Sequence, residues 1–292
     1  MSIPESATVD PYMLFDVPYP SPIVLSSTHS GRSYPPSLLR RSSWGMDAMR
    51  LGEDPYVDIL IEAAGAHGIP RICATFARAY VDLNRDPREL DPTLFDPAPL
   101  APELRASDRV QAGLGVIPRS LAPGQNLYNV KLPLAEAELR LGEAHAPFHT
   151  ALERLLARAR AQHGYALLLD VHSMPSQPGP NAPQVVVGDL RGRAAADGVV
   201  AAVERSLHST GFGSARNIPY AGAYTLERHG GPMHGTHAVQ LEFDRALYLD
   251  DARRAPSPSC TRIVEQIGHF AGALLTRLEQ LDLAHSWRIA AE

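Results

Sequence analysis

Apolar and polar positions along this chain fall into blocks that alternate between strand and helix character. Pro22-Ile23-Val24-Leu25-Ser26-Ser27 is a short β-type run, and a polar loop, Thr28-His29-Ser30-Gly31-Arg32, follows it. Pro70 to Phe76 reads as a second strand and leads into Arg78-Ala79-Tyr80-Val81-Asp82-Leu83-Asn84-Arg85-Asp86. The most apolar run, Ala166-Leu167-Leu168-Leu169, continues into Asp170-Val171-His172-Ser173-Met174 and stops at Pro175. An apolar run of this length, bounded by turn residues, predicts a buried strand. Pro183 to Val187 predicts another, and Thr236 to Arg245 alternates with the period of two of a strand.

Helical spacing appears between these runs. Val57, Leu60, Ile61 and Ala64 follow Asp54-Pro55, a good N-cap with proline at the first helical position. Pro133 opens a long helix from Leu134 to Gln162, with Leu139, Leu141, Phe148, Leu152, Leu155 and Leu156 on its buried face. Pro147 should kink or interrupt it. Ala194 to Thr210 and Pro256 to Leu281 predict two more helices. The alternation predicts one α/β domain over residues 1–292, with a central sheet, mostly parallel or mixed, and helices on both faces. Residues 1–20 read as an extended lead-in, and 87–130, rich in proline and aperiodic, as a long loop near the site.

Composition narrows the class. The 292 residues are 45% hydrophobic and 20% charged, ordinary for a soluble globular protein. A formal charge of −5 offers no basic footprint, so no nucleic-acid partner is expected. No apolar stretch approaches the ~20 residues that span a bilayer, and Met1 to Pro22 lacks a basic segment followed by an apolar one. Neither a membrane nor a secretory route is expected. Cys73 and Cys260 are far apart and form no metal-ligand pair, which makes a reducing cytoplasm the default.

The chemistry concentrates at strand ends, where open α/β sheets place their ligands. Those ends carry His29, Asn84-Arg85, His172 and Glu242. Two imidazoles and a carboxylate with one open position suit catalytic zinc, and another divalent metal would also fit. Such a metal lowers the pKa of its bound water to about 7 in the best cases. A further glutamate would serve as general base and acid. Glu242 lies in an apolar strand, where a carboxylate needs a partner; the competing reading is a sheet-edge glutamate facing water. Arg78 or Arg85 could polarise a carbonyl or clamp a carboxylate, and Arg85 could instead pair Asp82 or Asp86 at the surface. His145 and His149 stand four apart without the intervening glutamate of a zincin, and read as core or supporting residues. No Gly-x-Ser-x-Gly elbow surrounds Ser30 or Ser173, so a serine hydrolase is disfavoured.

An ordered set of short motifs then resembles one family. It comprises Thr28-His29-Ser30-Gly31-Arg32, Asp54-Pro55-Tyr56-Val57-Asp58, Arg78 with Asp82-Leu83-Asn84-Arg85-Asp86, Gly115-Val116-Ile117-Pro118-Arg119, Pro147-Phe148-His149, Asp170 to Pro175, and Gln240 to Tyr248. In this order, across residues 22–250, the set resembles the N-formylglutamate amidohydrolase (deformylase) family, which is related to zinc carboxypeptidases, aspartoacylase and succinylglutamate desuccinylase. The resemblance implies a zinc-carboxypeptidase-like, phosphorylase/hydrolase-like fold and a zinc enzyme acting on a small N-acyl amino acid. N-formyl-L-glutamate is the expected substrate, and formate and glutamate the products, within histidine breakdown. It implies His29 and His172 as zinc ligands, Arg78 as the carbonyl-polarising cation, Asn84 and Arg85 on the substrate's α-carboxylate, and Glu242 as base and acid. Arg119, Tyr224, Thr225 and His229 would contact substrate, and Asp170 would orient an imidazole. The wider group has its acidic ligand three residues after the first histidine, where this chain has Arg32. The resemblance therefore moves the third ligand to Asp54, with Glu53 and Asp58 in reserve. Another N-acyl deacylase or a carboxypeptidase is the rival among enzymes; a non-catalytic metal- or acidic-ligand-binding protein is the rival from another class.

Overall fold

The apolar run at 166–174 becomes one of the two longest strands of the sheet, with all nine residues buried. The computed structural model describes residues 9–122, 124–281 and 283. Seven strands form one mixed sheet: β1 (Tyr12–Phe15), β2 (Ile23–Ser27), β3 (Arg71–Ala74), β4 (Ala166–Met174), β5 (Val185–Gly188), β6 (Ser214–Arg216) and β7 (Thr236–Asp244). Their order is β1-β3-β2-β4-β7-β5-β6. β4 runs parallel to β2 and to β7, β5 runs antiparallel to β7, and β6 runs parallel to β5. The expected α/β sheet flanked by helices is what forms, and its mixed character comes from the reversal at β5. Of the expected lead-in, residues 1–8 lie outside the described residues, and residues 12–15 form the edge strand β1.

The period of two in β7 does not mark a solvent face. His237 to Phe243 are all buried, on both faces of a strand that lies between β4 and β5 inside the sheet. Parallel register sets Asp170 beside Gln240 and His172 beside Glu242. Side chains alternate between faces, so these four polar residues share one face while Val171, Leu241 and Phe243 take the other. Glu242 is therefore on an interior strand, not at a sheet edge.

Two helical expectations change. The segment after Asp54 makes a single α-turn, α1 (Val57–Leu60), and then a 3-10 stretch, Glu62–His67. Its N-cap is Tyr56 in the left-handed conformation (φ 61°), so Asp54 does not cap the helix. The long helix divides into α2 (Leu134–Arg140), a π-helical turn (Leu141–His145) and α3 (Ala146–His163). The π turn closes with Ala146 N–H donating to Leu141 O. Pro147, which has no N–H, thereby falls in the first turn of α3, where none is needed. Phe148, Leu152, Leu155 and Leu156 are buried as expected, but Leu139 is exposed. α4 (Asp197–Ser209), α5 (Tyr224–His229) and α6 (Cys260–Glu279) complete the larger helices. α5 lies in what the sequence suggests is a loop.

By contacts the chain forms two compact units. One comprises His29–Glu53 and Cys73–Thr150 together with the N-terminal residues up to Met13. In it, the 87–130 segment is not structureless: it carries a turn of helix at Asp108–Gln111 and a small ribbon, Ser120–Ala122 with Gln125–Asn126. The other comprises Leu14–Thr28, Asp54–Ile72 and everything from Ala151 onward. There α6 packs against α1, the 3-10 stretch and α4. No helix of the described residues is long and apolar enough to cross a membrane.

Candidate metal centre

Within the second unit, β4 projects Asp170 and His172 onto the polar face of the sheet. Ser26 of β2 donates to Asp170 Oδ1 (2.6 Å), and Asp170 Oδ2 lies 2.9 Å from His172 Nε2. Thr28 Oγ1 is 3.5 Å from the same nitrogen. The other ring nitrogen, Nδ1, lies 2.8 Å from Asp54 Oδ2. Burial disfavours the imidazolium, but Asp170 foremost, and then Asp54, hold the His172 pKa well above the usual value. Asp54 is buried too, and its second oxygen accepts from Ser173 Oγ (3.2 Å) and Arg245 Nη2 (3.2 Å). These bonds explain why Asp54 does not cap the helix: its carboxylate is taken up by β4 and by the residue that follows β7. On β7, Gln240 Nε2 donates to Glu242 Oε1 (2.8 Å), while Gln240 Oε1 is buried with no hydrogen-bond partner among the described residues.

Within the first unit, the turn Asp82-Leu83-Asn84-Arg85 builds a second buried cluster. His29 Nε2 meets Asp82 Oδ1 at 2.7 Å, and the Asn84 backbone N–H donates to the same oxygen (2.9 Å). Arg78 Nε donates to Asp82 Oδ2 (2.9 Å), and Arg85 Nε stands 3.9 Å from it. Burial opposes the carboxylate charge, yet Arg78, His29 and Arg85 hold the Asp82 pKa well below the ordinary range. The pairing with Asp82 is buried and shared among Arg78, Arg85 and the His29 ring, unlike the surface pair that the sequence allowed. The turn is pinned from behind by α2, the π turn and α3. His145 Nε2 meets Arg85 O (2.9 Å), His149 Nε2 meets Leu83 O (2.8 Å), and Arg140 donates to Tyr80 O (3.0 Å). The two histidines at helical spacing thus brace the backbone. Val116 O, in the 87–130 segment, accepts from Asp82 N–H (2.8 Å).

Among the described residues, one set of three side chains offers metal-ligand chemistry. His29 in the first unit, and Asp54 and His172 in the second, are all buried, and each offers one atom suited to ligating a metal ion. Of the reserve carboxylates, Glu53 accepts from Tyr34 OH, and neither it nor Asp58 belongs to this group.

The remaining predicted residues lie elsewhere on the two units. Arg119 is ion-paired with Asp91 (2.5 Å) and donates to Asn126 Oδ1 (3.2 Å). Tyr224, Thr225 and His229 all belong to α5, which packs on β4 and β7. Thr225 and His229 are buried, and Tyr224 OH accepts from Arg228 (3.1 Å). Burial, and then the charge of Arg228, push the His229 pKa down to about 3, against a smaller opposing pull from Asp170. Sequence reading missed Arg245, Gln240 and Ser26. Arg245 and Gln240 stand three and two residues from Glu242; a charged and an amide side chain beside a buried glutamate were the available signal.

A mixed sheet flanked by helices, with a buried imidazole–carboxylate group on its longest strands and the loops beside them, defines an α/β protein with a candidate site at the sheet. The chain belongs to the N-formylglutamate amidohydrolase family, whose family model matches residues 21–249. It is 29% identical over 255 residues to an N-formylglutamate deformylase of Pseudomonas aeruginosa, covering 83% of this chain and 89% of that one. It is 28% identical over 239 residues to an N-formylglutamate deformylase of Pseudomonas putida, covering 79% and 82%. The crystal structure of N-formylglutamate amidohydrolase from Ralstonia eutropha JMP134 superposes with a TM-score of 0.86 at 28% identity, covering 93% of this chain and 99% of that one. The chain is accordingly an enzyme of the amidohydrolase or deformylase kind.

Proposed function

We propose that this enzyme hydrolyses the formyl amide of an N-formyl amino acid, N-formyl-L-glutamate foremost, giving formate and L-glutamate. The observation that carries the reading is the buried His29–Asp54–His172 group in a chain of this family. The donor set fits a divalent cation. Acceptors exceed donors around His172, where Asp54, Asp170, Glu242 and the unpartnered Gln240 Oε1 gather on or beside one sheet face. Asp170 lies 2.9 Å from His172 Nε2 and Asp82 lies 2.7 Å from His29 Nε2, in the way carboxylates commonly orient metal-binding histidines. Two imidazoles and a carboxylate suit zinc, which when bound supplies Lewis acidity and activates water near neutral pH.

The protein groups supply the rest. Glu242 takes the proton of the attacking water and delivers it to the leaving amine nitrogen. Its position beside His172 in the β4–β7 register supports that role. Arg78 donates to the oxyanion that develops on the formyl oxygen. Asn84 and Arg85 hold the substrate's α-carboxylate, with Arg119, Tyr224, Thr225 and His229 as further substrate contacts. The substrate is a small molecule, and the free thiols of Cys73 and Cys260 support a reducing, cytoplasmic location.

The test is metal content and formate release on purified protein. We expect about one zinc per chain, formate from N-formyl-L-glutamate in preference to N-acetyl or N-succinyl analogues and short peptides, and loss of activity on chelation. Glu242→Gln should keep the metal and lose about 10²–10⁴-fold in kcat. Metal-free protein with turnover unaffected by His172→Ala would overturn the proposal; binding of the amino acid without formate release would favour the non-catalytic alternative.

A further inference from the structure

We propose that Arg245 and Ser173 act as a clamp that makes Asp54 a one-oxygen metal ligand, an inference that rests on the metal reading above. The two oxygens of Asp54 have separate duties. Oδ2 faces His172 Nδ1 at 2.8 Å. Oδ1 accepts from Ser173 Oγ and from Arg245 Nη2, each at 3.2 Å. Arg245 Nε donates in turn to Ser173 Oγ (3.1 Å), so guanidinium, hydroxyl and carboxylate close a ring. Arg245 follows β7 directly and Ser173 lies on β4, whose register with β7 is continuous from 166 to 174, so both donors are fixed by the sheet. Asp54 itself sits on a segment whose helix is a single turn and whose N-cap is another residue, so its backbone alone does not aim the carboxylate.

A carboxylate oxygen that already accepts two hydrogen bonds, one from a cation, is a poor ligand, because its lone pairs are engaged and a positive charge stands beside it. The clamp thus directs Oδ2 alone to the metal and keeps the coordination number low. Low coordination with nitrogen donors favours zinc, whereas two-oxygen carboxylate binding favours larger ions that prefer oxygen. Arginine is required because its planar fork spans the hydroxyl and the carboxylate at once, which a lysine ammonium does not do in the same geometry. Arg245 is a positioning residue in this account: it acts through Asp54.

The experiment uses the cobalt-substituted full-length enzyme. Wild type should show the intense visible absorption of low-coordinate cobalt, and Arg245→Ala should lose it. The affinity ratio of manganese to zinc, measured by chelator competition, should rise by about 10-fold or more in that variant, in keeping with the size of effects from groups that orient ligands. Arg245→Lys should fall between the two. Ser173→Ala, which removes one donor and no charge, should produce the same change in smaller degree and carries the test if Arg245→Ala fails to fold. Unchanged absorption and an unchanged ratio in the folded variants, with wild type binding cobalt normally, would overturn the clamp alone. Failure of wild type to bind cobalt or zinc would overturn the metal reading instead.

Discussion

Arg140 is fully buried, and replacing it with methionine should be among the most damaging changes in the chain. Its guanidinium donates from Nε (3.1 Å) and Nη2 (2.7 Å) to Glu136 Oε1, and from Nη1 to Tyr80 O (3.0 Å) and Tyr128 OH (2.7 Å). It also lies 4.3 Å from the centroid of the Tyr80 ring. Methionine returns the volume but none of the donors. Breaking a buried ion pair from one side costs about 3–5 kcal/mol, since the stranded carboxylate and carbonyl stay desolvated. Glu136 retains slight exposure and can draw in water, which favours the lower half of that range. At about 2.1 cal/mol/K of unfolding entropy per residue, a chain of 292 residues should melt about 5–7 °C lower. Denaturant titration and calorimetry check this. Adding Glu136→Gln should recover about 1 kcal/mol or more, because the stranded charge is then gone. A loss below about 1 kcal/mol for Arg140→Met alone would refute the argument that the guanidinium is the keystone of the turn that leads to Asp82.

Stability should also depend on pH through His237. Burial pushes its pKa down to about 4, and its Nδ1 accepts from Ala196 N–H (3.3 Å), a bond that only the neutral ring can make. The folded pKa lies below the unfolded value of about 6.5, so this contribution is complete above pH ~6.5 and is lost as pH falls toward 4, about 3 kcal/mol in all. His237→Gln should flatten that slope in chemical denaturation at stepped pH; an unaltered slope would assign it to other groups. Gly31→Ala should displace the His29 loop, because a Cβ there would stand 2.1 Å from Phe76 O, a backbone atom that cannot step aside. We expect strong destabilisation and weakened metal binding, and a fully stable variant with normal metal content would contradict that. Asp82→Asn should weaken zinc affinity by about 10–100-fold in chelator competition, through the lost carboxylate partner of His29. Unchanged affinity would make Asp82 purely structural.

Local pattern determined much of this protein. The apolar run at 166–174, the β-type runs at 23–27 and 71–74, and the 3.6-residue periodicity of α4 and α6 each specify their element through burial of a continuous stripe or strand, so each was legible without neighbours. The candidate residues His29, His172 and Glu242 were legible as polar groups at the ends of such runs. The tertiary structure decided what those runs could not. Asp54 reads as a helix cap until Ser173 and Arg245, 119 and 191 residues away, claim its carboxylate. The pairing of His172 with Glu242 depends on the parallel register of two strands more than sixty residues apart, which no local period encodes. His145 and His149 read from the sequence as core or supporting residues, and the structure shows what they support, the backbone at 83–85. In each case the side chain's role depends on which buried polar partner reaches it. That choice follows from the need to satisfy every buried charge and hydrogen bond across the folded chain, a constraint that exists only once the sheet has assembled.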